Sequence, residues 1–134
     1  MIMSNIPGEL RYTHEHIWLK IEGAAAYMGI TDYVQEQLGS IMYVDLPAYG
    51  DTIMIGDNFT EVEASKATLE APSPLTGQII EVNEMLDDSP EVINEDAYGS
   101  WIVKLEFQDE TELDDLLDAS EYRKMIKEQQ EPLF

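Results

Sequence analysis

Short apolar runs separated by turn residues dominate about the first hundred positions of the chain. In most of these runs, β-branched and aromatic residues are interleaved with polar ones over four to six positions, and Gly, Pro and Asp stand between the runs. Such a pattern is typical of β-strands. It predicts seven strands, at residues 17–22, 24–30, 41–46, 52–55, 59–63, 77–82 and 102–107. Strands of this number and spacing favour a mainly β fold, either a β-sandwich or a flattened barrel.

Helical signals are fewer and lie in three places. Thr31 and Asp32 favour a helix start, so we predict a short internal helix over residues 33–38 that ends at Gly39 in a left-handed conformation. Ser89 and Pro90 predict a second short turn ending near residue 94. From residue 111 onward, apolar residues recur at helical spacing among acids, which predicts one or two C-terminal helices packed on the sheets and a frayed tail from about residue 129. The apolar residues of this segment are Leu113, Leu116, Leu117, Tyr122, Met125 and Ile126.

Length and composition indicate one domain over residues 1–134, with a C-terminal helical extension. The chain has 134 residues and is 44% hydrophobic, which is enough to bury a core. It lacks a membrane-spanning apolar run, and its first residues lack the features of a signal peptide. We therefore expect a cytoplasmic protein. The chain contains no cysteine, so disulfides and cysteine nucleophiles are excluded, and any thiol chemistry must come from a cofactor.

The chain is strongly acidic. Seven basic residues against 28 acidic ones give a formal net charge of −21. Surfaces that bind nucleic acid or anionic membranes need clustered Lys and Arg, so both kinds of partner are excluded. The charge favours protein partners with basic patches, although acidity that serves only solubility stays open as an alternative.

Motifs of common enzyme classes are missing. The sequence has no phosphate-binding glycine loop, nucleophile elbow or zinc-binding helix pair. His14 and His16 would face the same side of a strand, but two histidines without a clear third ligand favour ordinary surface or packing roles. The acidic run from Asp109 to Asp118 lacks the glycine and spacing of an EF-hand, so we interpret it as a solvated helix face. An enzyme in the ordinary sense is not expected.

Lys66 is the only basic residue between Lys20 and Lys104. It lies between a predicted strand and the turn at Pro72, and its small neighbours Ser65 and Ala67 leave its side chain reachable. A lysine in a hairpin can also act as a gatekeeper that discourages pairing of sheet edges. The residues alone leave both interpretations open.

The segment around Lys66 resembles the lipoyl-lysine hairpin of the glycine-cleavage H-protein family. That family has glutamate, serine, valine, lysine and alanine at the site, and here residues 63–67 read Glu-Ala-Ser-Lys-Ala. The resemblance extends from about residue 8 to about residue 128. It is carried by Tyr12, His16 to Trp18, Gly29 to Asp32, Gln35 to Gly39, Val44 to Pro47, Pro74, Gly77, residues 79–83, Asp88 to Pro90, Tyr98, Trp101, Glu121 and Tyr122.

The resemblance implies a lipoyl-domain-like hybrid barrel-sandwich that carries lipoic acid as an amide on Lys66, with Glu63 and Ser65 beside the attachment point. A lipoate ligase or lipoyl transferase would attach the group. Glycine decarboxylase, aminomethyltransferase and dihydrolipoamide dehydrogenase would then be the partners of the arm, which would carry an aminomethyl group and electrons between them.

Departures from the family lie near the arm. The family usually has a glutamate that cradles the loaded arm where this chain has Ile17, whereas the second cradle carboxylate has a counterpart in Glu70. Ser65 replaces the usual valine, and Ala97 replaces a proline. An apolar Ile17 is no handicap for a sulfur cargo, so an H-like carrier serving a heterodisulfide-reductase-like complex in sulfur oxidation is the alternative. A scaffold or regulator that needs no lipoate is a third hypothesis.

Overall fold

A computed structural model describes residues 4–129 and 131–134 of the chain. The described residues form nine strands, and all seven predicted strands are among them. The strands are β1 (Arg11–Tyr12), β2 (Ile17–Glu22), β3 (Ala25–Ile30), β4 (Ile41–Asp45), β5 (Thr52–Ile53), β6 (Asn58–Ala64), β7 (Thr68–Pro72), β8 (Gly77–Val82) and β9 (Val103–Phe107).

The strands form two antiparallel sheets. The larger sheet has the order β1-β2-β3-β9-β8-β5, and the smaller one has the order β4-β6-β7. Sequence reasoning missed β1, which has only two residues, and β7, which ends in Pro72. A proline is tolerated in β7 because this strand is at an edge of the smaller sheet. The two-sheet, mainly β fold confirms the predicted architecture.

The internal helix confirms the predicted caps. Helix α1 covers Asp32–Leu38, and the Thr31 side chain accepts a hydrogen bond from the Val34 N–H. Gly39 ends the helix with φ +81° and ψ −152°. The positive φ was predicted, but this ψ lies outside the left-handed helical region, in a part of conformational space that is essentially restricted to glycine.

The second helical segment begins earlier and ends later than predicted. Helix α2 (Met85–Asp88) precedes Ser89, and helix α3 (Val92–Glu95) starts two residues after Pro90. The Val92 N–H donates to the Ser89 carbonyl and the Ile93 N–H donates to the Pro90 carbonyl, so the turn still begins at the Ser-Pro pair.

The C-terminal segment contains two helices, as predicted, but the first is a 3-10 helix over Glu110–Asp115. Helix α4 follows at Ala119–Glu128, where Asp118 and Glu121 form a capping box. The predicted tail begins at Gln129, and Gln130 lies outside the described residues. Within the described ranges, no helix combines the length and the apolarity that crossing a membrane requires.

Two apolar clusters hold the elements together. The main cluster contains side chains of both sheets, among them Ile17, Leu19, Val62 and Leu105, all with no exposed surface. The second cluster joins α4 to the larger sheet, and in it the rings of Tyr12 and Tyr122 stack with their centroids 4.8 Å apart. Burial of these clusters is the main favourable contribution to folding, since each large apolar side chain contributes about 1.5 to 3 kcal/mol.

His16 connects the second cluster to the start of β2. His14 and His16 do not lie on a strand, since β2 begins at Ile17, as predicted, and both histidines lie in the preceding turn. His16 has φ +71°, and its Nδ1 lies 2.8 Å from the Tyr122 hydroxyl, which is itself 2.7 Å from Thr31 Oγ1. In the part of the chain that the structure describes, no three His, Asp or Glu side chains are grouped to hold a metal ion.

We predict that His16 lowers the free energy of unfolding in mild acid. Burial, together with the nearby charge of His14, lowers the pKa of His16 from 6.5 to about 4. Between pH 6.5 and about pH 4, the His16 ring is therefore protonated in the unfolded chain and neutral in the folded chain. This contribution to stability is complete above pH 6.5, is lost as the pH falls towards 4, and amounts to no more than about 3 kcal/mol at 1.36 kcal/mol per pKa unit.

His16→Asn tests this prediction, because asparagine tolerates a positive φ and does not titrate. Between pH 7 and pH 4, the wild type should lose more free energy of unfolding than the variant, as measured by chemical denaturation. The exposed His14→Asn variant removes only the smaller of the two causes of the His16 shift, so it should keep most of the wild-type pH dependence. Equal pH dependence in wild type and His16→Asn would contradict the prediction.

Candidate functional site

Lys66 lies at the tip of the hairpin formed by β6 and β7. Glu63 pairs with Thr68 in the last rung of the hairpin, and the Ala64 N–H donates to the Ala67 carbonyl at 2.9 Å. Lys66 is exposed in the turn that follows. The structure thus places this lysine at the tip of a hairpin, as the resemblance implied, although β7 was not among the predicted strands.

The hairpin tip is fixed from behind by the segment between α1 and β4. We name residues 38–40 the α1–β4 corner. The Lys66 N–H donates to the Leu38 carbonyl at 3.1 Å, and the Ser65 N–H donates to the Ser40 carbonyl at 2.9 Å. In return, the Ser40 N–H donates to Ser65 Oγ at 3.1 Å. Three hydrogen bonds therefore hold the backbone on which the Lys66 side chain stands.

Gly39 lies close against the tip, where a side chain would not fit. A Cβ placed on Gly39 would lie 2.5 Å from Ser65 Oγ, 3.6 Å from Lys66 Cγ and 3.8 Å from Lys66 Cδ. The stem of the lysine therefore passes over the backbone of a residue that has no side chain. Glycine at this position meets two requirements at once, the positive φ and the absence of a Cβ.

The solvent-facing side of the smaller sheet is acidic. One row across its three strands consists of Tyr43, Glu63 and Thr68, and the next consists of Asp45, Glu61 and Glu70. All six side chains are exposed. Carboxylates directly opposite one another on neighbouring strands destabilise a sheet. The row of Asp45, Glu61 and Glu70 therefore lowers the stability of the fold.

The predicted site residues fall into two groups. Glu63, Ser65, Lys66 and Glu70 lie on the β6–β7 hairpin, with Glu63 and Glu70 both exposed on its acidic side. Ile17 lies instead on β2 of the larger sheet, pairs with Ile30, and has no exposed surface. Because the Ile17 side chain is buried, it offers no surface to an arm on Lys66 in this structure.

Sequence reasoning missed the α1–β4 corner as part of the site. Gly39 was assigned only as a helix terminator, and the backbone bonds of Leu38 and Ser40 to the tip span more than 20 positions of sequence. The one available signal was Ser65, because a serine hydroxyl accepts a hydrogen bond and the valine that is usual in the family does not.

We predict that Gly39→Ala destabilises the chain more than Gly50→Ala. Both glycines have a positive φ, +81° and +89°, and both variants incur the backbone cost of about 1 to 3 kcal/mol. Only at Gly39 would the new Cβ also collide with Ser65 Oγ, since nothing lies within 4 Å of a Cβ on Gly50. Denaturant unfolding of the two variants measures the difference.

The Ser65→Ala background isolates this contact. Without Oγ, the additional cost of Gly39→Ala should shrink, whereas the cost of Gly50→Ala should stay the same. If Gly39→Ala and Gly50→Ala cost the same in both backgrounds, the close approach of corner and tip is contradicted.

Comparisons with known proteins show the family of the chain. Residues 10–129 match the model of a protein family described as glycine cleavage H-protein. The chain is 43% identical over 130 residues to a glycine cleavage system H protein from Carboxydothermus hydrogenoformans, covering 96% of this chain and 100% of that one. It is 48% identical over 124 residues to one from Staphylococcus haemolyticus, covering 92% and 98% of the two chains.

The fold agrees as well. A crystal structure of a glycine cleavage system H protein from Mycobacterium marinum superimposes with a TM-score of 0.79 at 35% sequence identity, covering 91% of this chain and 99% of that one. The architecture is thus the lipoyl-domain-like barrel-sandwich that the resemblance implied. On this similarity of sequence and fold, the chain belongs to the glycine cleavage H-protein family.

Proposed function

We propose that this chain is a lipoyl carrier in which Lys66 holds lipoic acid as an amide. One observation carries the proposal: an exposed lysine stands on a hairpin tip whose backbone is fixed by hydrogen bonds to the α1–β4 corner. Such a lysine is easy for an enzyme to reach and has a defined position. The chain itself acts as a carrier for other enzymes and not as a catalyst.

The site fits an amide-linked group. Among the described residues, the Lys66 amine has no carboxylate within 4.0 Å, so modification that removes its charge breaks no ion pair. Gly39 leaves room for the stem. When bound, the lipoyl group supplies the redox-active sulfurs that a chain without cysteine lacks. A tethered group also reaches a high effective concentration at each active site it visits.

The proposed partners follow from the family. A lipoate ligase or lipoyl transferase attaches the group, and glycine decarboxylase, aminomethyltransferase and dihydrolipoamide dehydrogenase use it in turn. The acidic side of the smaller sheet, with Asp45, Glu61, Glu63 and Glu70, favours partner surfaces that are basic. A cytoplasmic location stays a prediction from the sequence.

Sulfur oxidation with a heterodisulfide-reductase-like complex was inferred from the departures near the arm, chiefly from Ile17. That side chain is fully buried in the main cluster and does not line the surface around Lys66. No observation on the described residues therefore favours a sulfur cargo, and we propose the aminomethyl cargo of glycine cleavage. A scaffold that needs no lipoate would leave Lys66 without a role.

We predict that a lipoate ligase attaches one lipoyl group, at Lys66. Lys66→Arg should accept none, because the guanidinium does not form the amide. Lys104→Arg is the matched control and should be modified like the wild type. Mass spectrometry of the intact protein and of its peptides measures the number of groups and their position. Modification of Lys66→Arg, or none of the wild type when a control carrier is modified, would refute the proposal.

We also predict that the lipoylated chain supports the exchange of carbon dioxide into glycine by a glycine decarboxylase. The rate should match that of a lipoylated H protein from a related species, and unmodified chain should give none. Radiolabel incorporation measures this rate. Full lipoylation without exchange, combined with turnover by a heterodisulfide-reductase-like complex, would assign the chain to sulfur oxidation instead.

A further inference from the structure

Asn94 lies on helix α3, and both the oxygen and the nitrogen of its side-chain amide form hydrogen bonds with residues 35–41. Its Oδ1 accepts the Ile41 N–H at 2.8 Å. Its Nδ2 donates to the Gly39 carbonyl at 2.9 Å and to Gln35 Oε1 at 2.6 Å. One partly buried side chain thus joins α1, the α1–β4 corner and the start of β4.

The contacts of Asn94 and those of the hairpin tip alternate along residues 38–41. Asn94 binds the backbone at Gly39 and Ile41, on either side of Ser40. Ser40 and Leu38 in turn bind the backbone of the tip. Two sets of hydrogen bonds, joined by the backbone of residues 38–41, therefore connect α3 to Lys66, although Asn94 and Lys66 are 28 positions apart in sequence.

We propose that Asn94 is a positioning residue for the modification of Lys66, acting through the α1–β4 corner. The inference rests on the proposed lipoylation. Attachment forms an amide bond between Lys66 Nζ and the carbonyl carbon of an activated lipoyl acyl donor, while the nitrogen loses a proton and the carbon loses its activating group. A lysine that stands on a displaced tip presents its nitrogen less often in the geometry this reaction needs.

Asparagine suits this position because it accepts and donates at the same time. Aspartate has nearly the same shape but only accepts, so at residue 94 it would face the Gly39 carbonyl and Gln35 Oε1 without a donor. The Asn94→Asp change therefore keeps the bond to the Ile41 N–H and removes the hold on Gly39.

Asn83→Asp is a matched control for Asn94→Asp. Asn83 is also partly buried, and its Nδ2 donates to a backbone carbonyl, that of Trp101, at 2.7 Å. It follows β8 in the larger sheet and makes no hydrogen bond to the corner or the tip in the described part of the chain. Both variants should lower the free energy of unfolding, so both are assayed well below their unfolding midpoints.

The experiment measures steady-state lipoylation of the full chain by a lipoate ligase with lipoate and ATP. Asn94→Asp should lower kcat by about 10-fold to about 100-fold with little change in KM, since the tip is misplaced in the bound complex. Asn83→Asp should keep the wild-type kcat. Hydrogen exchange of the Ser65 and Lys66 amides should accelerate in Asn94→Asp only, which a general loss of stability would not produce.

The outcomes separate the two proposals. A wild type that is modified, with Asn94→Asp and Asn83→Asp equal in kcat and in amide exchange, overturns the role of Asn94 and leaves the lipoyl carrier intact. A wild type that takes up no lipoate overturns the lipoyl carrier itself and the positioning role with it. A fall in kcat confined to Asn94→Asp, together with faster exchange at the tip, supports both.

Discussion

Two backbone hydrogen bonds from the β6–β7 turn to the α1–β4 corner keep the backbone at Lys66 in place while its side chain is exposed. A lysine that other enzymes modify must be exposed, yet exposed turns are usually the most mobile part of a sheet. The bonds to Leu38 and Ser40 fix the turn backbone, while the lysine side chain keeps its freedom. Gly39 is needed for this contact, since a side chain there would collide with Ser65.

The acidic side of the smaller sheet has a thermodynamic cost that the two apolar clusters offset. Asp45, Glu61 and Glu70 stand in one row with no basic residue between them, an arrangement that folding alone would not favour. The other side of the same strands is apolar, and Val44 and Val62 are almost entirely buried. The sheet therefore combines a stable inner side with an outer side whose charge is suited to basic partners.

Local patterns predicted most of the fold, and contacts between distant segments account for what they missed. Strands 17–22 and 77–82 have the predicted bounds, because their alternation and flanking turns are local signals. Ile17 was assigned to the surface near Lys66 by resemblance, but its burial depends on the packing of the larger sheet. The hydrogen bond from Asn94 to the Gly39 carbonyl joins residues 55 positions apart, and no periodicity or motif indicates it.

The other lysines show why position, and not residue type, can select Lys66. Lys20 lies on β2 beside Glu22, and the amine of Lys104 lies 3.4 Å from Glu81 and 4.8 Å from the centre of the Tyr27 ring. Lys124 and Lys127 lie on α4. Each of these four stands on a regular helix or strand and not on a turn. Lys66 stands on a turn between small residues, so an enzyme that recognises the shape of a hairpin tip meets a single amine there.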